Sequence, residues 1–365
     1  MNRLGKPFAL LATCVALAAA LLVATRVSAA TYRMEPLADG VWAMVWTLES
    51  GDVSDSNVLI VINEGDVVVV DAGILPSSAR AAVGEIRKLT DLPVSTVINT
   101  HWHSDHHYGN AVYRSEYPGV EFVQHEQTRE MVLAHDVPVL PKNLRERYPQ
   151  EIERLRGILA SGKRSNGEPL PEGMRASVER TVDVYRKFLD EMTDTPIVPG
   201  TMTVRDGLVL HRGEREIQVR FLGRGNTPGD LVVVLPRERI VATGDLVVSP
   251  TPFAFSSYLS EWPATLRSLR SIDAATILPG HGEPMRDWGY VDSLVELLDS
   301  TWTQVKAAVD AGEDLEATVA VVDLDRFVDR FSEGDSREGF DYLYRRPAIE
   351  SAWTELTTGE PAIED

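Results

Sequence analysis

The most constraining feature of this chain is a run of histidines directly after an apolar, β-branched stretch. Residues 94–98 read Val-Ser-Thr-Val-Ile, and residues 99–109 read Asn-Thr-His-Trp-His-Ser-Asp-His-His-Tyr-Gly. The β-branched stretch predicts a strand, and the polar run predicts the loop that follows it. Loops at strand ends are where layered α/β folds build their sites. The pattern therefore predicts a layered α/β fold with chemistry at one sheet edge, and a solvated histidine-rich loop is the alternative.

Four side chains of this run have the types and spacing of metal ligands, because zinc and similar divalent cations prefer imidazole and carboxylate. His101 and His103 would point to one metal ion, while Asp105 and His106 would face a second. Asp105 is also the candidate catalytic residue, since a carboxylate at such a centre can hold a proton taken from water.

The remaining ligands must come from other strand ends. Asp245 follows the apolar stretch 240–243 and would bridge two metal ions, although it also suits an ordinary turn. His281 lies between two glycines, Gly280 and Gly282, which would expose its ring, and we predict that it is a ligand.

Several nearby residues have two interpretations each. His107 would point away from His106 and take a supporting or surface role, and His125 either caps a helix or lines the site. The aromatic residues Phe253, Phe255 and Tyr258 follow Asp245 on a proline-containing loop and would either wall a pocket or pack in the core.

Apolar stretches that alternate with a helix predict β-α-β organisation. The four consecutive valines 67–70 are typical of a strand buried on both faces, and a helix is predicted to begin near Ser77 as its cap. Further strands are predicted at 40–46, 56–62, 94–98, 217–222, 231–235, 240–243 and 276–278.

The first thirty residues have the layout of a secretory signal peptide. Two basic residues precede an apolar stretch from Phe8 to Ala24, and small residues follow at 27–30. We therefore expect a periplasmic or secreted protein without stable membrane insertion after removal of residues 1–30, with an uncleaved anchor as the alternative. The single cysteine, Cys14, lies in this segment, so the mature chain would contain no disulfide.

The formal net charge of −19 argues against nucleic acid as a partner, because such a surface repels phosphate backbones. Removal of residues 1–30 makes the balance more acidic, since that segment carries three basic and no acidic residues. We expect a small-molecule substrate instead, and the oligomeric state is left open.

Two charged, helical segments stand apart from the strand pattern. One is a predicted helical insertion at about 142–192, and the other is a predicted helical extension at 286–365, with Leu294, Leu297 and Leu298 on its apolar face. The catalytic domain is predicted at 31–285. Both helical segments would serve as packing elements, with a lid or a dimer surface as the alternative.

Five ordered motifs give the chain a resemblance to the metallo-β-lactamase-fold hydrolase superfamily, from about Met34 to beyond His281. They are Val70-Asp71-Ala72-Gly73, the run from His101 to His106, Gly225-Asn226-Thr227-Pro228-Gly229-Asp230, Thr243-Gly244-Asp245 and Pro279-Gly280-His281. The resemblance implies a four-layer αββα sandwich with metals at one edge. It also implies that Asp71 supports the segment from His101 to His106, which we call the metal loop, and is not itself a ligand.

One position departs from the family pattern. Where the family usually has a histidine as third ligand of the first metal, this chain has Asn226. A neutral amide oxygen is a weaker zinc donor than imidazole. Either Asn226 coordinates weakly and two metals bind with unequal affinity, or a single metal is held by Asp105, His106, Asp245 and His281.

The function predicted from these residues is zinc-dependent hydrolysis of an amide or ester bond, in a β-lactam, lactone or related ester, through a metal-bound hydroxide. One or two zinc ions are expected, with iron or manganese as alternatives, and an iron site would allow an oxidoreductase. The other alternative is a metal-binding accessory protein of a periplasmic redox or cofactor pathway with little turnover.

Overall fold

The computed structural model describes residues 32–47, 55–164, 167–332 and 337–362, and the predicted signal peptide lies outside them. Twelve strands occur within these ranges. They are β1 (Tyr32–Ala38), β2 (Val41–Trp46), β3 (Val58–Ile62), β4 (Val67–Val70), β5 (Val94–Ile98), β6 (Glu121–His125), β7 (Met202–Val204), β8 (Gly207–Arg212), β9 (Arg215–Phe221), β10 (Leu231–Leu235), β11 (Ile240–Ala242) and β12 (Thr276–Leu278).

The strands form two sheets. The first has the order β1-β2-β3-β4-β5-β6-β7, antiparallel up to β4 and parallel from β4 onward. The second has the order β12-β11-β10-β9-β8, in which only β11 and β12 run parallel. Val70 pairs with Ile98, and Ala242 pairs with Leu278, so each parallel pair ends at one level.

Thirteen α-helices occur in the same described ranges. They are α1 (Pro76–Leu89), α2 (Ser104–His107), α3 (Asn110–Glu116), α4 (Glu126–Met131), α5 (Val137–Lys142), α6 (Tyr148–Ser161), α7 (Glu172–Met192), α8 (Trp262–Arg270), α9 (Gly289–Asp310), α10 (Leu315–Val321), α11 (Val328–Phe331), α12 (Arg337–Phe340) and α13 (Arg346–Thr358). Short π-helical or 3₁₀ turns lie at Val132–Asp136, Asn143–Arg147, Gly244–Leu246, Asp325–Phe327 and Asp341–Arg345.

Three apolar cores separate four layers. Val68 and Val70 of β4 face the second sheet, whereas Val67 and Val69 face α1 and α3. On the other side of the molecule, the second sheet packs against α8, α9 and α13 around Trp262. The valine run is therefore buried on both faces, as predicted, because a sheet lies on one side of it and helices on the other. The predicted αββα sandwich is confirmed, and so is its helical C-terminal extension.

The helical insertion begins earlier than predicted. The chain is helical from Glu126, and π-helical turns at Val132–Asp136 and Asn143–Arg147 join α4, α5 and α6 into one continuous run. Pro138 and Pro141 lie in this run and made a helix there hard to predict, since proline lacks an amide donor. The insertion packs beside the first sheet through an apolar cluster, which comprises Ile74, Leu75, Tyr108, Leu140, Leu144, Tyr148, Val184, Phe188 and Met192.

Two local expectations were wrong or incomplete. Ser77 does not cap α1: Leu75 takes that position, and the backbone amide and Oγ of Ser77 both donate to the carboxylate of Glu191 at 2.7 Å. The strands β1, β7 and β8 were not predicted, because most of their residues are partly or fully exposed and no apolar run in them exceeds three residues. No helix in the described part of the chain is both long and apolar enough to cross a membrane.

Candidate metal centre

The predicted ligands come together where β4, β5, β11 and β12 end. The carbonyl of Thr100, two residues after the end of β5 in the first sheet, accepts a hydrogen bond from the amide of Leu231 in β10 of the second sheet at 2.8 Å. A second hydrogen bond also joins the two sheet edges: the carbonyl of Gly280, after β12, accepts from the amide of Asn57, which precedes β3, at 2.7 Å. A Cβ at Gly280 would lie 1.9 Å from Oδ1 of Asp245, so this close approach requires glycine.

Four donor atoms form the first group of the centre. Nε2 of His106 lies 3.4 Å from Oδ2 of Asp105 and 3.3 Å from Oδ1 of Asp245. Nε2 of His281 lies 2.9 Å and 3.7 Å from the same two oxygens. Metal–ligand bonds of about 2.0–2.2 Å in a tetrahedral shell place neighbouring donors roughly 3.3–3.6 Å apart. The four atoms therefore have nearly the spacing of a coordination shell.

A second group adjoins the first through the same aspartate. Nε2 of His101 lies 2.8 Å from Nδ1 of His103 and 3.7 Å from Oδ2 of Asp245. The two carboxylate oxygens of Asp245 thus face different groups, which is the geometry of a bridging ligand.

Three of these atoms are buried and make no hydrogen bond of normal directional geometry: Nε2 of His106, Nε2 of His281 and Oδ1 of Asp245. A buried polar atom without a partner costs about 1–3 kcal/mol, so native structures rarely retain several in one place. Their convergence beside Asp105 fits a bound divalent cation, which would satisfy all three.

Asp71 supports the centre without facing the unpaired atoms. Its Oδ2 lies 2.9 Å from Nδ1 of His106, and its Oδ1 accepts from the Thr100 amide at 2.8 Å. The Thr100 hydroxyl also donates to it at 3.0–3.1 Å. Asp71 has a left-handed backbone with φ of +63°. A strained conformation at the end of β4 therefore directs this carboxylate to the back of the His106 ring.

Burial sets the protonation of the second group. It lowers the pKa of His101 well below its usual value, and it lowers the pKa of His103 to about 4. Both rings are therefore neutral at pH 7 and offer a nitrogen lone pair, which is the form that binds metals.

In the first group, neighbouring charges outweigh burial in setting the pKa values. Burial alone would lower the pKa of His106, but Asp105 and Asp71 outweigh it and raise that pKa well above the usual value. The pKa of His281 is raised against burial by Asp245 and Asp105. Burial would raise the pKa of Asp105, yet His106 holds it well below its usual value. A cation bound among these carboxylates would compete with the imidazole protons.

Asn226 is buried beside the centre, and its contact is with an aromatic loop. Its Nδ2 donates to the carbonyl of Phe253 at 2.7 Å, while its Oδ1 is buried and has no hydrogen-bond partner. The Phe253 ring in turn lies 5.3 Å from the ring of His281. Coordination of a metal ion through this unpartnered oxygen of Asn226 stays a prediction.

The remaining histidines have structural partners. Nδ1 of His125 accepts from the Gln127 amide at 3.2 Å, so this residue caps α4 and does not line the site. His107 is fully buried and pairs through Nε2 with Asp136 at 3.1 Å. Asp136, on the π-helical turn of the insertion, thereby joins that insertion to the metal loop; no local sequence signal pointed to it.

A four-layer αββα sandwich with histidines and aspartates gathered at one edge defines a class of metallo-hydrolases. The chain belongs to the metallo-beta-lactamase superfamily, whose family model matches residues 51–281.

Among curated proteins the chain is similar to the linear primary-alkylsulfatase of Pseudomonas sp. (strain ATCC 19151), with 24% identity over 245 residues, 63% of this chain and 42% of that protein. It is also similar to metallo-beta-lactamase IND-1 of Chryseobacterium indologenes, with 30% identity over 105 residues, 27% of this chain and 44% of that protein. The chain thus spans less than half the length of each of these relatives.

Solved structures show the same fold. The metallo-beta-lactamase from Pontibacter korlensis has a TM-score of 0.51 and 18% identity, over 74% of this chain and 99% of that one. Metallo-beta-lactamase IND-7 has a TM-score of 0.50 and 20% identity, over 73% of this chain and 98% of that one.

Proposed function

We propose that this protein is a zinc-dependent hydrolase that cleaves an amide or ester bond in a small molecule, such as a β-lactam, a lactone or a related ester. The observation that carries the proposal is the position of Asp245, whose two oxygens face the two adjoining groups of donor atoms. That arrangement, together with membership of the superfamily, favours hydrolysis over simple metal storage.

The zinc proposed here would be held by Asp105, His106, His281 and Asp245, with His101 and His103 holding a second ion. Zinc supplies a water molecule with a pKa lowered toward neutrality and polarises the bond under attack.

The chain's own residues would manage the protons. The carboxylate of Asp105 is ionised, since its pKa is held low, so it can accept a proton from the attacking water and return it to the leaving group. Asp71 keeps the proton of His106 on Nδ1, which leaves Nε2 directed to the metal.

A second candidate is hydrolysis of an alkyl sulfate ester. The similarity to an alkylsulfatase, which extends over 63% of this chain, favours it. Fold alone does not choose between these substrates, because one scaffold supports several chemistries. We also propose that the protein acts in the periplasm or outside the cell after removal of residues 1–30. Cell fractionation and the mass of the mature chain test that location.

The activity is tested with purified protein, first stripped of metal and then titrated with zinc. The substrate panel comprises a chromogenic cephalosporin, an aliphatic lactone, a p-nitrophenyl ester and an alkyl sulfate. We expect turnover of at least one substrate, loss of that turnover with a chelator and recovery with zinc. The variant His281→Ala should be inactive, whereas His211→Ala, on an exposed strand position, should match the wild type. Zinc binding without turnover of any substrate would contradict the proposal and favour the accessory protein.

A further inference from the structure

Two aromatic rings, those of Phe253 and Phe255, lie on the loop that follows Asp245, and both are partly exposed. The Phe253 ring lies 5.3 Å from the ring of His281 at the metal centre. Ala254, between them, is fully buried in the core between the second sheet and the C-terminal helices, whereas neither ring belongs to that core. The loop therefore packs through Ala254 and leaves the two rings outside the core, which decides against core packing as their role.

The C-terminal extension holds this loop in place. The amide of Ala254 donates to the carbonyl of Leu343 at 3.3 Å, and the hydroxyl of Thr251 donates to the carbonyl of Phe331 at 2.6 Å. Farther along the loop, the amide of Ser257 donates to Oγ of Ser351 at 2.9 Å. Since several points of the loop are fixed, the two phenylalanine rings occupy defined positions.

The C-terminal extension adds a third ring, so that the aromatic surface comprises Phe253, Phe255 and Tyr342. The ring of Phe255 lies 6.2 Å from that of Tyr342, which is 51% exposed. Two residues before Phe255 on the same loop, Phe253 lies beside His281.

A ligand that spans this surface must be polar at one end and apolar at the other. The metal centre supplies the polar end, because its donor atoms are histidine and aspartate, and the aromatic rings supply the apolar end. Resting on the function proposed above, we propose that Phe253, Phe255 and Tyr342 bind an aliphatic or aromatic group of the substrate while the scissile bond lies at the metal centre. The extension then selects the substrate.

Straight-chain hydroxamic acids test this subsite without turnover. Their head group binds zinc, and the chain varies from acetyl through butyryl to octanoyl. Each methylene that becomes fully buried should lower Kd by about fourfold. For the zinc-loaded full-length protein we expect Kd to fall at least tenfold from the acetyl to the octanoyl compound, measured by calorimetry and by the spectrum of the cobalt-substituted protein.

Variants locate the effect. Tyr342→Ala and Phe255→Ala should each reduce the ratio of the acetyl to the octanoyl Kd by at least threefold, whereas Tyr342→Phe should retain it. Val321→Ala is the matched control, because this extension residue is 61% exposed and apolar. Circular dichroism verifies that each variant folds. Of the two positions, Tyr342 should affect folding less when it is replaced, because it is 51% exposed.

Each outcome has a separate meaning. A Kd independent of chain length in the wild type would overturn the subsite, and so would a chain-length effect that both alanine variants retain. Binding of the octanoyl but not the acetyl compound would support the subsite and count against the zinc centre. If no member of the series binds, both proposals are wrong.

Discussion

Replacement of Asp71 by asparagine separates the support of the metal centre from the fold. Asparagine has the size of aspartate and tolerates the left-handed backbone at this position. Its Oδ1 can still accept from the Thr100 amide, which lies 2.8 Å from the native carboxylate. Its amide group then faces Nδ1 of His106, where the native Oδ2 lies at 2.9 Å. Two donors cannot pair, so once His106 loses one ring proton the remaining proton favours Nε2, the atom that faces Asp105 and Asp245 and that zinc would need.

The expected decreases in zinc affinity and in stability follow from the hydrogen bond to His106 that this variant lacks. Partners that orient a metal-binding histidine are worth about 10–100-fold in metal affinity, or about 1.4–2.8 kcal/mol. In the metal-free protein a charge-assisted hydrogen bond gives way to a neutral contact, which costs about 1–2 kcal/mol of the free energy of unfolding. The Asp71 side chain is only 3% exposed, so solvent screening does not reduce these effects.

Zinc affinity is measured by competition with a chelating dye, and stability by urea unfolding of the metal-free protein. Nitrogen chemical shifts report which ring nitrogen of His106 carries the proton. The control is Asp273→Asn, because the side chain of Asp273 is 80% exposed and its ion pair with Arg239 lies on the surface. Wild-type zinc affinity in Asp71→Asn, with the proton still on Nδ1, would refute the reasoning.

Three further results are expected. Asn226→His should hold more zinc per chain by elemental analysis, and unchanged stoichiometry would remove Asn226 from the centre. Gly280→Ala should lose at least tenfold in zinc affinity, because its Cβ would lie 1.9 Å from Oδ1 of Asp245; binding equal to the wild type in a titration would contradict that clash. Burial raises the pKa of Asp55 from 3.8 to about 7. The folded state therefore keeps a proton that the unfolded chain has lost, and stability should fall as the pH rises from about 4 to about 7. Asp55→Asn should flatten this trend in urea midpoints, and an equally steep trend would argue against the raised pKa.

Much of the fold was accessible from local patterns. The valine run 67–70 has no polar residue, and the structure buries it between a sheet and helices as such a run requires. The edge strand Tyr32–Ala38 was missed because Tyr32 and Met34 alternate with charged residues over only four positions before Pro36 interrupts the pattern. Strand pairing across a whole sheet stabilises such segments, and that information is not local.

The site also contains residues that local sequence patterns predict and contacts that they do not predict. His101 lies on the loop after β5 and His106 on the short helix α2 that follows it, so spacing along the sequence alone pointed to them. The pairing of His107 with Asp136 depends on how an inserted helix docks, which no nearby residue encodes. The orientation of the Asn226 amide likewise depends on a carbonyl 27 residues away, that of Phe253.

The central claim is that distant side chains hold a divalent cation at one sheet edge. The most direct measurement is anomalous diffraction at the zinc edge from crystals of the zinc-loaded protein. The account predicts a zinc ion at about 2.0–2.2 Å from Asp105, His106 and His281. Asp245 should contact both this ion and the neighbouring site formed by His101 and His103. Zinc bound elsewhere, or no anomalous peak among these residues, would contradict it.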